Sequence, residues 1–165
     1  MGKTKTNFRK EIGDELVRHA KENHKIVLLV CDMGFGVTEQ FKAEFPKRFF
    51  NMGMMEQGTV SIAAGMAMTG IIPVVYSIVN FLAFRAIEQV RNDVVIQGLN
   101  VKFIATGVNN YFKFLGESHC CGEDDKKIMK LIKLKTYDPY ANPNVNFSKM
   151  VDEWINDPQA GYLRL

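Results

Sequence analysis

The sequence predicts an α/β domain, an open and mostly parallel sheet of about six strands with helices on both faces. Three observations lead there. Continuous apolar runs of strand length, first Ile26-Val27-Leu28-Leu29-Val30-Cys31, suit strands covered on both sides, the usual state of parallel sheets. Segments with helical apolar spacing alternate with those runs, so successive parallel strands need right-handed crossovers. The 165 residues are enough for one domain that buries roughly 70% of its unfolded surface.

Taken in order, Asn7 is placed to cap a helix from Phe8 to about Asn23, whose buried face is Phe8, Ile12, Leu16 and Ala20. The first strand ends at Asp32, and Gly34 and Gly36 turn the chain. Thr38 is placed to cap a short helix through Phe45, closed by Pro46. A short strand around Arg48 to Asn51 leads through Gly53 into a helix from about Glu56 to Thr69, stopped by Gly70. Pro73 to Ile78 is the third strand, Phe81 to Val95 a helix, and Val101 to Gly107 the fourth strand. After a long loop over 108–122 come a helix near Asp124 to Leu131, a strand near Lys133 to Tyr137, a helix near Phe147 to Asn156 and a last strand Tyr162 to Leu165. Ligands of such sheets sit beyond the strand carboxyl ends, which directs attention to Asp32, to 78–81 and to the 108–122 loop.

Bulk properties exclude several classes. A net charge of +3 is too small to argue for nucleic acid, and the lysine-rich stretch Lys126 to Lys135 reads as a solvated face. No run approaches the roughly 18 apolar residues of a membrane span, and residues 1–6 lack the apolar core of a signal peptide. Three cysteines without an export signal read as reduced thiols, so a cytoplasmic protein is expected.

Most candidate motifs reduce to structure. Gly34-Phe35-Gly36 lacks the third glycine and the later acidic residue of a dinucleotide site, so it reads as a turn. His19 and His24 are expected on the surface. His119-Cys120-Cys121 with Glu123 and Asp124 lacks zinc-knuckle spacing, and no serine stands in a nucleophile elbow. Glu56 differs. As a first-turn carboxylate it gains about 0.3–1 kcal/mol from the helix dipole. It also stands among Met52, Met54 and Met55, which are expected to give apolar cover, ahead of a helix rich in Gly and Ala that lets another backbone approach closely. A carboxylate in so crowded a place needs a fixed partner.

Three segments then resemble the transketolase-type, thiamine-diphosphate-dependent enzymes. Phe49-Phe50-Asn51-Met52-Gly53-Met54-Met55-Glu56-Gln57 looks like the pattern F-x-N-x-G-I-x-E-Q. Tyr76 to Phe81 and Arg85 to Asn92 follow in register, and Gly116 to Asp124 resembles the loop G-P-T-H-H-x-x-E-D. The likeness covers nearly the whole chain and is to the pyrimidine-binding middle domain, so residues 1–165 are expected to be one such domain. It implies that Glu56 hydrogen-bonds the cofactor aminopyrimidine and activates it for moving a two-carbon ketol unit between sugars. It further implies that Phe81 stacks on the ring, that Phe84 extends the aromatic wall, that Ile78 stands where many relatives carry an aromatic, and that Asp32 lies near the cofactor. His119 matches the first loop histidine, expected to contact the sugar, while Cys120 replaces the second histidine and Glu117 a common proline.

The diphosphate-binding domain with its magnesium motif is not in this sequence. The resemblance therefore implies a split enzyme, a heterodimer or heterotetramer in which a partner subunit holds the diphosphate and most of the Mg2+ contacts. The family's third domain is missing as well, which suggests a shortened subunit or a piece of a longer chain. A contact between two copies, a non-catalytic binding module and a 2-oxo-acid dehydrogenase β-subunit-like role are the alternative expectations.

Overall fold

The computed structural model describes residues 8–165. The elements are α1 (Phe8–Glu22), β1 (Ile26–Val30), α2 (Glu39–Glu44), β2 (Phe49–Asn51), α3 (Glu56–Met68), β3 (Ile72–Ile78), α4 (Ile87–Gln89), β4 (Lys102–Thr106), α5 (Asp124–Leu131), β5 (Lys135–Tyr137), α6 (Phe147–Asn156) and β6 (Gly161–Arg164). Six strands form one sheet in the order β2-β1-β3-β4-β6-β5, and every neighbouring pair is parallel. The expected α/β architecture is therefore the observed one. The expected cap residue Asn7 lies outside the described residues.

Because side chains alternate along a strand, each apolar run serves both faces. Val27 and Leu29 of β1 join one core with Val60, Ala63 and Ala64 of α3, the 81–95 segment and Met129 of α5. Ile26, Leu28 and Val30 join the other with α1, Phe41 of α2 and Trp154 of α6. Between β1 and β3 the chain order reverses direction across the sheet, and in such sheets ligands sit at the switch point, beyond the strand carboxyl ends.

Four expectations need correction. His19 is buried, because α6 packs against α1 and brings Asp152 within 3.1 Å of its Nε2; burial, the first cause, lowers the imidazole pKa. The Thr38 hydroxyl does not cap α2 but donates to Gly34 O at 3.3 Å. The helix expected over 81–95 is two stretches of wide, π-type turns, Phe81–Arg85 and Val90–Val95, on either side of α4. The 108–122 loop contains two tight turns, Lys113–Leu115 and Glu117–His119.

Two charged groups hold the far side of the sheet. Arg164 of β6 is fully buried and grips Asp125 of α5 with two hydrogen bonds, Nε to Oδ2 at 2.6 Å and Nη2 to Oδ1 at 3.1 Å. Its Nη1 reaches Asp138 Oδ2 at 2.5 Å. A planar guanidinium suits such a pairing, and its geometry satisfies charges that would otherwise be stranded away from water. Lys102 of β4, also fully buried, donates to Asp157 O at 2.6 Å and Gln159 O at 2.7 Å and fixes the turn that feeds β6; burial pulls its pKa down to about 8.

Removing one member of a buried pair strands the other, so Arg164→Met should destabilise the fold by about 3–5 kcal/mol in urea titrations. A pH effect is expected at Asp157. Its hydrogen bond from Lys135 at 2.7 Å, then the Gln159 N–H, lower its pKa from 3.8 to about 2. A carboxylate depressed in the folded state contributes stability that is present above its ordinary value and lost as pH falls through the folded one. The stability difference between wild type and Asp157→Asn should therefore be constant near neutrality and shrink between pH about 4 and about 2.

Candidate functional site

Three local features shape the chain at the switch point. Asn51, last residue of β2, accepts the N–H groups of Asp32 at 3.1 Å and Gly53 at 3.0 Å on its Oδ1, and its Nδ2 donates to Asp32 Oδ1 at 3.2 Å. One side chain thus ties the ends of β1 and β2 together and shapes the turn that follows. Gly53 turns with φ of 69°, a left-handed conformation that suits glycine. The chain then enters α3, with Glu56 as its first residue.

Glu56 is 1% exposed. The inward placement of the first turn of α3 over β3 buries it; of the three methionines Met52 is half-buried against the core, while Met54 is 77% exposed and Met55 is exposed too. That corrects the expected apolar cover. Its need for a partner is met twice: Ser77 Oγ of β3 donates to Oε1 at 3.0 Å, and Arg85 Nη1 donates to Oε2 at 2.6 Å. Neither partner was singled out from sequence. Ser77 stands in an apolar run, and Arg85 follows Phe81 by four residues, the spacing that places side chains on one helical face.

Phe81 lies beside that pair. The Arg85 guanidinium carbon sits 4.0 Å from the Phe81 ring centroid, over its face. The His119 ring meets Phe81 edge-on, with centroids 5.0 Å apart and planes at 67°. His119 is placed there by a loop fastened at two points: Asn80 Nδ2 donates to Ser118 O at 2.5 Å, and Gly122 N–H donates to Asn110 Oδ1 at 2.9 Å. The Ser118 hydroxyl lies 3.0 Å from His119 Nδ1. The result is a continuous series, Ser77–Glu56–Arg85–Phe81–His119, running from the core to the surface.

The other expected residues frame this series. Ile78 ends β3 in the core cluster against which Phe81 packs. Asp32, with φ of 49°, is exposed at the end of β1 and bonded to Asn51, outside the Glu56 contacts. Phe84 is 51% exposed and extends no wall with Phe81 among the described ring pairs. Cys120 is half-buried next to His119. Burial pushes the thiols of Cys31 and Cys121 up to about 11, so neither is a thiolate at neutral pH. The His119-to-Asp124 segment does not converge as a metal cluster; among the described residues only Glu15, His19 and Asp152 do, and the Arg18 guanidinium already pairs with both of those carboxylates.

Fold and site together define an α/β domain with a buried carboxylate and an aromatic ring near the switch point of a parallel sheet. The particular family follows from comparison. A family model described as the transketolase pyrimidine binding domain matches residues 4–143, and the chain belongs to that family, a family of thiamine-diphosphate-dependent enzymes. The chain is 37% identical over 142 residues to a Methanocaldococcus jannaschii protein called "Putative transketolase C-terminal section", covering 84% of this chain and 45% of that one. It is 32% identical over 148 residues to a 1-deoxy-D-xylulose-5-phosphate synthase of Clostridium perfringens, covering 89% of this chain and 22% of the relative. The chain thus spans less than half the length of either. Among solved structures, "Split gene transketolase, inactive beta4 tetramer" superposes with a TM-score of 0.81 at 33% identity, over 95% of this chain and 50% of that one. Campylobacter jejuni transketolase shares the fold, with a TM-score of 0.77 at 17% identity over 94% of this chain and 25% of its own.

Ser77→Ala would leave one oxygen of a buried carboxylate without its donor. It should lower stability by about 1–3 kcal/mol, read as a drop in melting temperature, while the far-ultraviolet spectrum stays that of the wild type.

Proposed function

We propose that this chain is the pyrimidine-binding component of a two-subunit, thiamine-diphosphate-dependent transketolase-like enzyme that moves a two-carbon ketol unit between sugars. The observation that carries the reading is Glu56, 1% exposed at the head of α3 and linked to Phe81 through Arg85, which bonds the carboxylate at 2.6 Å and lies 4.0 Å over the ring. A carboxylate in that setting is a strong, directional acceptor, and the aromatic ring next to it offers a stacking surface. The donor set therefore fits an aminopyrimidine.

When bound, thiamine diphosphate supplies the carbanion chemistry. The protein's share is placement and proton handling. Glu56, held by Ser77, would accept from the pyrimidine ring nitrogen and bias its tautomer. Phe81 would give the ring its face, with Ile78, Asp32 and Phe84 assigned to its surroundings. His119, oriented through Ser118, faces the mouth, where an imidazole can hold or pass a proton at a sugar hydroxyl. Cys120, half-buried, follows His119 on the same loop.

The reading assigns the diphosphate and its Mg2+ mainly to a second subunit. Exposed apolar side chains support that division: Phe35 follows β1, Met54 follows β2, Phe84 follows β3, and Phe114 and Leu115 lie in the loop after β4. All follow carboxyl ends of strands, as does Glu56 at the head of α3. Apolar surface gathered around a site is what a covering subunit would bury. The solved relative, a split gene transketolase in the form of an inactive β4 tetramer, supports both a separate partner and a contact between copies of this chain. No helix among the described residues is long and apolar enough to cross a membrane. With Cys31, Cys120 and Cys121 free, we assign the assembly to the cytoplasm.

The test is purification of the complex from the native source, followed by thiamine diphosphate titration with Mg2+. Binding is expected in the complex and negligible in the isolated chain; tight binding by the chain alone would sink the split-site reading. In the complex, Glu56→Gln should lower turnover by about 10²–10⁴-fold with the fold unchanged. Wild-type turnover in that variant would remove Glu56 from the mechanism, and cofactor binding without any turnover would favour a binding module.

A further inference from the structure

We propose that Arg85 is a self-ligand: in the chain alone, its guanidinium takes the place of the aminopyrimidine, and the cofactor enters by displacing it. The inference rests on the assignment of Glu56 and Phe81 to the pyrimidine. Arg85 makes both contacts expected of that ring. Its Nη1 donates to Glu56 Oε2 at 2.6 Å, and its planar head lies 4.0 Å over the centre of Phe81. A guanidinium is flat, stacks on aromatic faces and presents N–H donors at its edge, so it imitates a donor-edged heteroaromatic ring more closely than any other side chain does.

The two occupants exclude one another. Ser77 holds Glu56 Oε1 and the partly exposed Arg85 holds Oε2, so a ring donor aimed at Oε2 from the solvent side competes with Arg85 for that oxygen. The Phe81 face is covered by the same group. Arg85 is able to leave because its side chain is 41% exposed, whereas the Glu56 side chain is 1% exposed. Its backbone is also unlike a fixed helix. Arg85 ends the π-type turns of Phe81–Arg85, and Ala86, with φ of −107° and ψ of 12°, breaks the helix before α4. Wide turns of this kind occur frequently at functional sites. The self-contact has a use: it keeps a buried carboxylate paired until a partner subunit and cofactor arrive, when leaving it bare would be costly.

The hydroxymethyl-aminopyrimidine fragment of thiamine tests this without a partner subunit, since it needs only the half-site on this chain. The full chain is titrated with the fragment and binding is followed by NMR shifts of the Phe81 and Ser77 signals. Apparent affinity equals intrinsic affinity reduced by the fraction of open sites, so Arg85→Met should bind about tenfold more tightly than wild type. Adding Glu56→Gln to Arg85→Met should abolish the gain. Arg85→Lys, which keeps the positive charge but lacks the flat head, should fall between the two and serves if Arg85→Met folds poorly. Equal affinity in wild type, Arg85→Lys and Arg85→Met overturns the self-ligand and leaves the Glu56 assignment standing. A gain that survives Glu56→Gln also overturns it. Absence of saturable binding in every variant overturns it and counts against Glu56 as the pyrimidine acceptor.

Discussion

The structure depends on how one buried carboxylate is kept paired. Glu56 lies at the first turn of α3 with 1% of its surface exposed, where an unpaired charge would cost several kcal/mol. Much of the surrounding architecture satisfies it. Asn51 joins β1 to β2 and shapes the turn into α3, β3 brings Ser77 beneath, and the wide turns after Phe81 bring Arg85 across the mouth. The helix dipole at the head of α3 favours a negative charge there, but its contribution is small beside two hydrogen bonds, one of them from a cation.

The fold was legible where one physical signal dominated. Apolar runs such as Ile26 to Val30 and Val101 to Ala105 have no reading but strand once their length is set against the flanking helical periodicity, and all six strands were expected within about two residues of their ends. Wide turns were not legible, because Phe81 to Val95 keeps its apolar residues near helical spacing whether each turn is α or π in type. Long-range charge pairing was hidden as well. Arg164 and Asp125 are 39 residues apart, and burial of His19 depends on α6, more than a hundred residues further along the chain.

The site divided in the same way. Glu56, Phe81 and His119 were visible as motif positions, and the structure places Glu56 and Phe81 around one guanidinium, with His119 at the edge of the same ring. Arg85 was in view as part of a motif but carried no role, since nothing in an arginine's position along a sequence says whether its head turns to water or inward over a ring. The methionines misled for the complementary reason: apolar character near a carboxylate in sequence does not put the side chains over it, and Met54 and Met55 point outward.

Two ion pairs in this chain are chemically alike and differ in how the cation is buried and how many bonds hold it. In the Arg164–Asp125 pair both side chains are fully buried and the guanidinium uses three nitrogens on two carboxylates, so neither member has anywhere else to go. In the Arg85–Glu56 pair the anion is sealed in and the cation is 41% exposed, bound through one nitrogen. The first arrangement is stable only as a unit. The second seals its acceptor in and leaves its donor partly in water, so the two pairs differ in what solvent can reach.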